Sequence, residues 1–176
     1  KLADFTTGSW ANFENPNFRL VSVNTARYDT TKHLATPVIS DAKVGLQKIS
    51  EALGDWKAPD DWYKRAIKEK NEWDAYVEKQ SGPTNQEEPS YAHAVGAVYR
   101  NSDPSDIVVT AAGGLVGEVV QVWKPKQLNT FETEWGFSCM GYEISGALGI
   151  KMAKPDQDVV VFVGDGSYLL NNTDIY

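Results

Sequence analysis

Residues 159–166 have the sequence Val159-Val160-Val161-Phe162-Val163-Gly164-Asp165-Gly166. A short, unbroken apolar run of mostly β-branched residues is typical of a strand buried on both faces of a parallel sheet. Asp-Gly after such a run is equally typical of a tight β-turn. Residues 167–176, however, do not alternate as a returning strand would. We therefore predict a parallel strand that ends in a ligand-binding loop.

The pattern around this run predicts an α/β fold. Strand and helix patterns alternate through residues 90–176, which indicates a parallel sheet flanked by helices. Residues 1–54 contain a second, shorter unit of the same kind, in which Ser40-Asp41 caps a helix that ends at Leu53. The predicted strands are 18–24, 36–39, 106–112, 129–134 and 159–163, and the predicted helices of the second unit are 90–99, 118–123 and 140–153.

Residues 55–89 differ in composition from both units, since aromatic side chains lie among many charged ones. We predict an amphipathic helix over residues 60–80 whose aromatic face packs between the units, followed by a polar loop. The chain is thus divided into an α/β unit (1–54), a helical linker (55–89) and a second α/β unit (90–176). The aromatic residues near one face of this helix are Trp62, Trp73 and Tyr76.

Composition excludes several classes of function. The net charge of −7 and pI of about 4.8 argue against binding to nucleic acid or to an anionic membrane. The sequence has no apolar run long enough to span a bilayer and begins with no signal-peptide pattern. The single cysteine, Cys139, fits a reducing cytoplasm, and we expect it to be a buried, inert thiol.

Glycine-containing loops follow the predicted strands at residues 111–117, 134–141 and 164–167. The carboxyl ends of parallel strands share one edge, so we expect these loops to meet there. Glycine lets backbone N–H groups approach an anion closely, which makes a phosphate site plausible without basic side chains. Asp165 is a hard oxygen ligand of the kind that Mg²⁺ uses together with phosphates.

Two segments of the sequence resemble motifs of a known superfamily. Gly164-Asp165-Gly166 resembles the first half of the motif that binds thiamine diphosphate, and residues 134–149 are similar to the segment that lies under that cofactor. Within the superfamily, residues 136–143 together with residues 163–168 resemble the 3D-(3,5/4)-trihydroxycyclohexane-1,2-dione hydrolases of myo-inositol catabolism. The motif's second half, a metal-binding Asn, would fall beyond Tyr176, so we expect Asn171 and Asn172 to lie in the helix after the loop instead.

The resemblance covers the whole chain and implies its organisation. Residues 1–54 would be the end of a central Rossmann-like domain, and residues 90–176 the first half of a truncated diphosphate-binding domain. In this superfamily the cofactor lies between that domain and the N-terminal domain of a neighbouring subunit, which implies a homo-oligomer. The activating glutamate belongs to that N-terminal domain, so no catalytic residue is assigned here.

The resemblance also implies a ligand set. Asp165 would bind magnesium, Met140 would lie beneath the thiazolium ring, and the other residues would line the diphosphate or pyrimidine side. Glu134 is the best of three candidates for substrate contact, ahead of Glu132 and Glu143, while His33 and His93 are expected to be surface or packing residues. The implied cofactor-binding residues are Gly114, Leu115, Met140, Gly164, Gly166 and Ser167.

The implied reaction is hydrolysis of a carbon–carbon bond in a cyclic 1,2-diketone, which opens the ring to 5-deoxy-glucuronate with the help of thiamine diphosphate and magnesium. We expect the chain to be inactive by itself, because it carries half of a metal site. Two alternatives remain open at this point. One is an acetolactate-synthase-like decarboxylase or carboligase that uses the same loops, and the other is a non-catalytic nucleotide-binding module.

Overall fold

The structure, a computed structural model, describes residues 2–134 and 136–175. The chain divides into two compact units, Lys1–Pro59 and Asp60–Tyr176. Both contain parallel sheets with neighbouring helices, so the predicted α/β class is confirmed.

The first unit is built on two parallel strands, β1 and β2, paired from Val21↔Thr36 to Asn24↔Ile39. The helix predicted after Ser40-Asp41 is confirmed: the Asp41 carboxylate accepts the N–H groups of Lys43 at 2.9 Å and Val44 at 3.2 Å. The elements are α1 (Asp4–Thr7), β1 (Val21–Asn24), α2 (Arg27–Thr30), β2 (Thr36–Ile39) and α3 (Ala42–Leu53), with 3₁₀ turns at Ala11–Phe13 and Lys32–Leu34.

Strand β1 is shorter than the strand predicted over residues 18–24. The Phe18 N–H closes a turn with the Asn15 carbonyl at 2.9 Å and is therefore not available to a strand ladder. The apolar residues before Val21 lead into the strand without belonging to it.

The second unit has a three-stranded parallel sheet in the order β4-β3-β5. All four residues of the central strand are buried, as the apolar pattern predicts for a strand covered on both faces. The strands are shorter than predicted, but the ladder continues past β5, because the Phe162 N–H donates to the Val109 carbonyl at 2.9 Å. The strands are β3 (Ile107–Thr110), β4 (Phe131–Thr133) and β5 (Val159–Val161).

Helices cover both faces of this sheet. Val108 lies in one core cluster with side chains of the helices before β3 and after it, whereas the alternate residues Ile107 and Val109 face the opposite side, next to the helix that precedes β5. Among the described residues, no helix combines the length and apolar character that a bilayer span needs. The helices are α4 (Asp60–Ser81), α5 (Tyr91–Asn101), α6 (Gly114–Val122), α7 (Tyr142–Ala153) and α8 (Asp165–Asn171), with a 3₁₀ turn at Asn172–Ile175.

Helix α4 buries residues that its aromatic pattern does not single out. Trp62, Trp73 and Tyr76 are 67%, 49% and 53% exposed, and their packing between the two units stays a prediction. The buried residues of α4 are Val77 and Ser81, one turn apart on a face that adjoins the aromatic one, since Val77 is also one turn from Trp73. Small side chains at this contact let the helix approach α5 closely, and the bulky aromatics lie outside it.

The α4–α5 contact also groups α4 with the second unit, whereas the sequence predicts a linker over residues 55–89. A Cβ atom on Gly96 of α5 would lie 2.1 Å from the Ser81 carbonyl oxygen. Arg100 Nη1 donates to the same oxygen at 2.6 Å. The end of α4 is therefore fixed to α5 by backbone contact and a charged donor.

Candidate functional site

The loops after β3, β4 and β5 come together at the carboxyl edge of the sheet, as predicted. Ser138 Oγ in the loop after β4 donates to the Ala111 carbonyl in the loop after β3 at 3.4 Å. Met140 in the same loop contacts the loop after β5, because a Cβ atom on Gly166 would lie 3.1 Å from the Met140 methyl. Residues 111–114, 136–141 and 162–167 thus form one surface, which we call the carboxyl-edge site.

The loop after β3 has an open backbone. Gly113 has a φ of +83°, a conformation that favours glycine, and it directly precedes α6. No atom lies within 4 Å of a Cβ atom built on Gly113 or Gly114, so a ligand can approach this backbone. Leu115 is half-buried and packs against the core cluster, which anchors the start of α6.

Glu134 supports the loop after β4 from within. Its carboxylate oxygens accept the N–H groups of Phe137 and Cys139, each at 2.9 Å. These backbone donors, with that of Cys139 the stronger, hold the pKa of the Glu134 carboxyl below its usual range. Both oxygens are engaged, so the geometry favours a role in loop structure over the substrate contact predicted for this residue. Its chain neighbour Trp135 is outside the described residues.

Cys139 and Met140 lie on the exposed part of this loop. Met140 is 52% exposed at the carboxyl-edge site, and its position beneath the thiazolium ring stays a prediction. Cys139 is exposed, so the prediction of a buried thiol is wrong. The residue lies in a loop outside the sheet and the helices, and residues 136–140 are all exposed.

The loop after β5 presents a carboxylate. Gly164 precedes α8, and Asp165 is the exposed first residue of that helix. Asp165 Oδ1 accepts the N–H of Gly166 at 2.8 Å. Ser167 is 3% exposed and lies below this surface, near Gly141. Asn171 ends α8, as expected, whereas Asn172 is the C-cap of that helix and begins the 3₁₀ turn.

Glu143 has a larger structural role in this region than its sequence context predicts. It is 0% exposed, and its two oxygens accept the N–H groups of Ala112 at 3.2 Å and Gly141 at 3.0 Å. Its position in the first turn of α7 was visible in the sequence. The 31-residue separation from Ala112 carries no local signal, so this contact could not be predicted.

The remaining candidates lie away from the carboxyl-edge site. His93 belongs to the N-terminal cap of α5, where its Nδ1 accepts the Ser90 N–H at 3.1 Å. His33 lies in the first unit, with its ring 4.8 Å from that of Trp10. Glu132 is exposed in the middle of β4, not in the loop that follows. The two histidines are thus capping and packing residues, as predicted.

The donor set of the carboxyl-edge site fits a diphosphate group. The N-termini of α6 and α8 both begin at this edge, and helix N-termini attract anions through their free N–H groups and dipoles. The exposed backbone at Gly113 and Gly114 leaves room for phosphate oxygens. Two buried hydroxyls of the adjacent strand ends, Thr110 Oγ1 and Thr133 Oγ1, have no hydrogen-bond partner among the described residues. The hydrogen-bonding capacity of these two hydroxyl groups is therefore unused at this edge.

The same site fits magnesium through a single carboxylate. Among the described residues, no three His, Cys, Asp or Glu side chains lie close enough together to hold a metal ion. Mg²⁺ is commonly bound by one or two carboxylates that complete its shell with phosphates and water. Asp165, exposed at the start of α8, satisfies the protein's share of such a shell.

Comparison with known proteins agrees with this geometry. Residues 111–176 match the family described as thiamine pyrophosphate enzyme, C-terminal TPP binding domain. Over 99% of its length the chain is similar to proteins named 3D-(3,5/4)-trihydroxycyclohexane-1,2-dione hydrolase, with 33% identity to that of Geobacillus thermodenitrificans, 35% to that of Clostridium tetani and 32% to that of Lacticaseibacillus casei.

The chain spans 30–31% of the length of these curated relatives. The family match begins at Ala111, where β3 ends, and includes all three loops of the carboxyl-edge site. Residues 111–176 are therefore similar to the C-terminal TPP binding domain of thiamine pyrophosphate enzymes.

Proposed function

We propose that the protein containing this chain uses thiamine diphosphate and magnesium to hydrolyse a carbon–carbon bond of 3D-(3,5/4)-trihydroxycyclohexane-1,2-dione, giving 5-deoxy-glucuronate in inositol catabolism. The observation that carries the proposal is the similarity of 99% of the chain to hydrolases of that name. The carboxyl-edge site supports it independently, since its loops offer open backbone, helix N-termini and one exposed carboxylate.

Each loop has a role in this proposal. Asp165 binds the magnesium ion, and the backbone at Gly164 and Gly166 approaches the diphosphate, with Ser167 supporting the turn from below. The open backbone at Gly114 lies along the same group, and Leu115 anchors it to the core. Met140, half-exposed against Gly166, supports the thiazolium ring.

The charge of the site is consistent with these roles of the loops. Residues 111–117, 134–141 and 162–167 contain no Lys, Arg or His. The diphosphate charge would therefore be balanced by the metal ion and by the helix N-termini. Thiamine diphosphate, when bound, supplies the nucleophile and electron sink for carbon–carbon cleavage. The protein's own part is to bind and orient the cofactor.

We further propose that the protein is a cytoplasmic homo-oligomer whose cofactor site lies between subunits. The exposure of Met140 and of the backbone at Gly113 and Gly114 supports this arrangement, because one side of the carboxyl-edge site is open. The single cysteine of this chain fits a reducing compartment.

The test compares full-length wild-type protein with Asp165→Asn and with a matched control, Asp156→Asn. Asp156 is exposed in the turn before β5, at the opposite edge of the sheet. We expect the wild type and the control to bind thiamine diphosphate in the presence of Mg²⁺ and to open the cyclic diketone. Asp165→Asn should weaken Mg²⁺-dependent binding about 10-fold or more, because it removes an anionic ligand.

Two outcomes would overturn the proposal. Turnover of pyruvate with no ring opening would assign the protein to the decarboxylases or carboligases. Binding of ADP without Mg²⁺-dependent binding of thiamine diphosphate would indicate a nucleotide-binding module. Calorimetric titration and a ring-opening assay on the same preparation separate these results.

A further inference from the structure

Glu143 is the one acidic side chain that is buried among the residues described in the structure. A buried carboxylate is costly unless its oxygens are hydrogen-bonded, so its partners account for its presence. Both oxygens of Glu143 accept backbone N–H groups, and neither faces solvent. The charge is thus held by backbone donors alone, which is the strong, charge-assisted form of this bond.

The two donors belong to different loops of the carboxyl-edge site. Ala112 lies between β3 and the exposed Gly113-Gly114 backbone and donates to Oε1 at 3.2 Å. Gly141 directly follows Met140 and donates to Oε2 at 3.0 Å. One rigid side chain on α7 therefore sets the distance between the loop after β3 and the loop that carries Met140.

A third element is connected through Gly141. Asn171 Nδ2 at the end of α8 donates to the Gly141 carbonyl at 3.3 Å. Gly141 has a φ of +94°, and a Cβ atom there would lie 2.9 Å from Asn171 Cβ, so the backbone and α8 are in direct contact. The helix that begins with Asp165 is thus fixed to the same point as the other two loops.

We propose that Glu143 is a positioning residue, whose carboxylate holds the Ala112 loop and the Met140 loop at the spacing that thiamine diphosphate requires. The inference rests on the proposed function, because the ligand is the one named there. Glu143 lies beneath the site and does not itself touch the cofactor. Its contribution is to fix backbone groups that would otherwise move independently.

Glu143→Gln is the sharpest variant, because it keeps the size of the side chain and removes one acceptor. The Gln amide oxygen can accept one of the two N–H groups, and its NH₂ faces the other as a donor. One loop should therefore be released. Glu143→Asp, which keeps the charge on a shorter side chain, should recover part of the loss.

The first measurement needs no cofactor. Amide hydrogen exchange on the full-length wild-type protein should show Ala112 and Gly141 at least about 10-fold slower than the exposed amides of Gly113 and Gly114. In Glu143→Gln, exchange at Ala112 or Gly141 should rise by about 10-fold, with Val108 in β3 unchanged. Equal exchange in wild type and variant would refute the inference. If Glu143→Gln does not fold, the comparison of amides within the wild-type protein alone decides whether Ala112 and Gly141 are protected.

The second measurement is the dissociation constant of thiamine diphosphate with Mg²⁺. Supporting residues of this kind typically change affinity by about 10- to 100-fold, so we expect Glu143→Gln to raise the constant by about 10-fold or more. The matched control is Val95→Ala, a fully buried core position on α5. It should lower the melting temperature at least as much and leave the dissociation constant unchanged.

The two measurements separate the inference from the proposed function. Failure of the wild type to bind thiamine diphosphate would reject the proposed function, while amide exchange would still show whether Glu143 joins the loops. Normal binding in Glu143→Gln, or an equal loss in Val95→Ala, would reject the positioning role and leave the proposed function standing.

Discussion

Glu134 and Glu143 are nine residues apart in the sequence, yet their carboxylates have different hydrogen-bond partners. Glu134 closes its own loop, because its partners lie within five residues. Glu143 joins two loops that are distant in sequence. Asp165 could be placed from the sequence, since it directly follows an apolar run. The role of Glu143 could not, because it depends on which strand is the neighbour in the sheet.

The environment of Glu134 predicts that the stability of the loop after β4 depends on pH. Because its folded-state pKa is lowered, its hydrogen bonds stabilise the loop above the unfolded-state pKa, and this stabilisation is lost as pH falls through the folded-state pKa. The amide shifts of Phe137 and Cys139 should titrate together, with a midpoint below the ordinary value of 4.5. NMR titration of wild type and Glu134→Gln provides the check. A midpoint at or above the ordinary value, or the same titration in the variant, would contradict the assignment.

Substitution of Gly141 by alanine should destabilise the protein. Gly141→Ala combines a positive φ with a Cβ contact of 2.9 Å to Asn171, so we expect a destabilisation of about 2 kcal/mol or more in urea unfolding. Gly117→Ala in α6 is the control, since no atom lies within 4 Å of its added Cβ. The control should be neutral or more stable by less than about 1 kcal/mol. Equal effects of the two substitutions would show that Gly141 is not constrained.

At the scale of elements, capping signals were reliable, whereas the aromatic pattern of α4 does not single out the residues that it buries. Asp41 begins α3 and Ser90 begins α5, as their positions before apolar periodicity predicted. Helix α4 also has nearly its predicted length. Its contact with α5 uses Ser81 and Gly96, small residues that a pattern of large apolar side chains does not reveal.

The α4–α5 contact gives a prediction with a matched pair of glycines. A Cβ atom on Gly96 would lie 2.1 Å from the Ser81 carbonyl oxygen, so Gly96→Ala must move one helix, and we expect a loss of about 2 kcal/mol or more. Gly149 lies inside α7 with open space around it, so Gly149→Ala should gain roughly 0.5–1 kcal/mol from helix propensity alone. Urea unfolding of the two variants measures both values.

The sign of the effect is decisive for this pair. Helix propensity favours alanine at both positions, so only the packing at Ser81 can make Gly96→Ala destabilising. A gain in stability at Gly96 would mean that α4 does not pack against α5 in solution. The hydrogen bond that Arg100 donates to the same carbonyl would then be contradicted as well.

For the whole molecule, alternating patterns were enough to predict a parallel α/β architecture but not its arrangement. The order β4-β3-β5 depends on long-range contacts that periodicity does not encode. The division at Pro59 differs from the predicted boundaries, because the composition changes at residue 55 whereas helix α4, which packs on the second unit, begins at Asp60. What the sequence did locate was the edge where the three loops meet, since strand ends in a parallel sheet share one side.

Cofactor binding should therefore stabilise one part of the chain selectively. A ligand present at about 100 times its dissociation constant favours the bound state by about 2.7 kcal/mol, which corresponds to a roughly 100-fold slowing of exchange at amides that open only when the ligand leaves. In the full-length protein with thiamine diphosphate and Mg²⁺, we expect this slowing at residues 112–114, 139–141 and 165–167. Strand β1, in the first unit, should exchange at its ligand-free rate, because it contributes none of these loops.

Protection centred on β1 instead would place the ligand in the first unit and contradict the carboxyl-edge site. Protection of residues 165–167 without residues 112–114 would restrict the ligand to the loop after β5, in which case the proposed cooperation of the loops would be wrong.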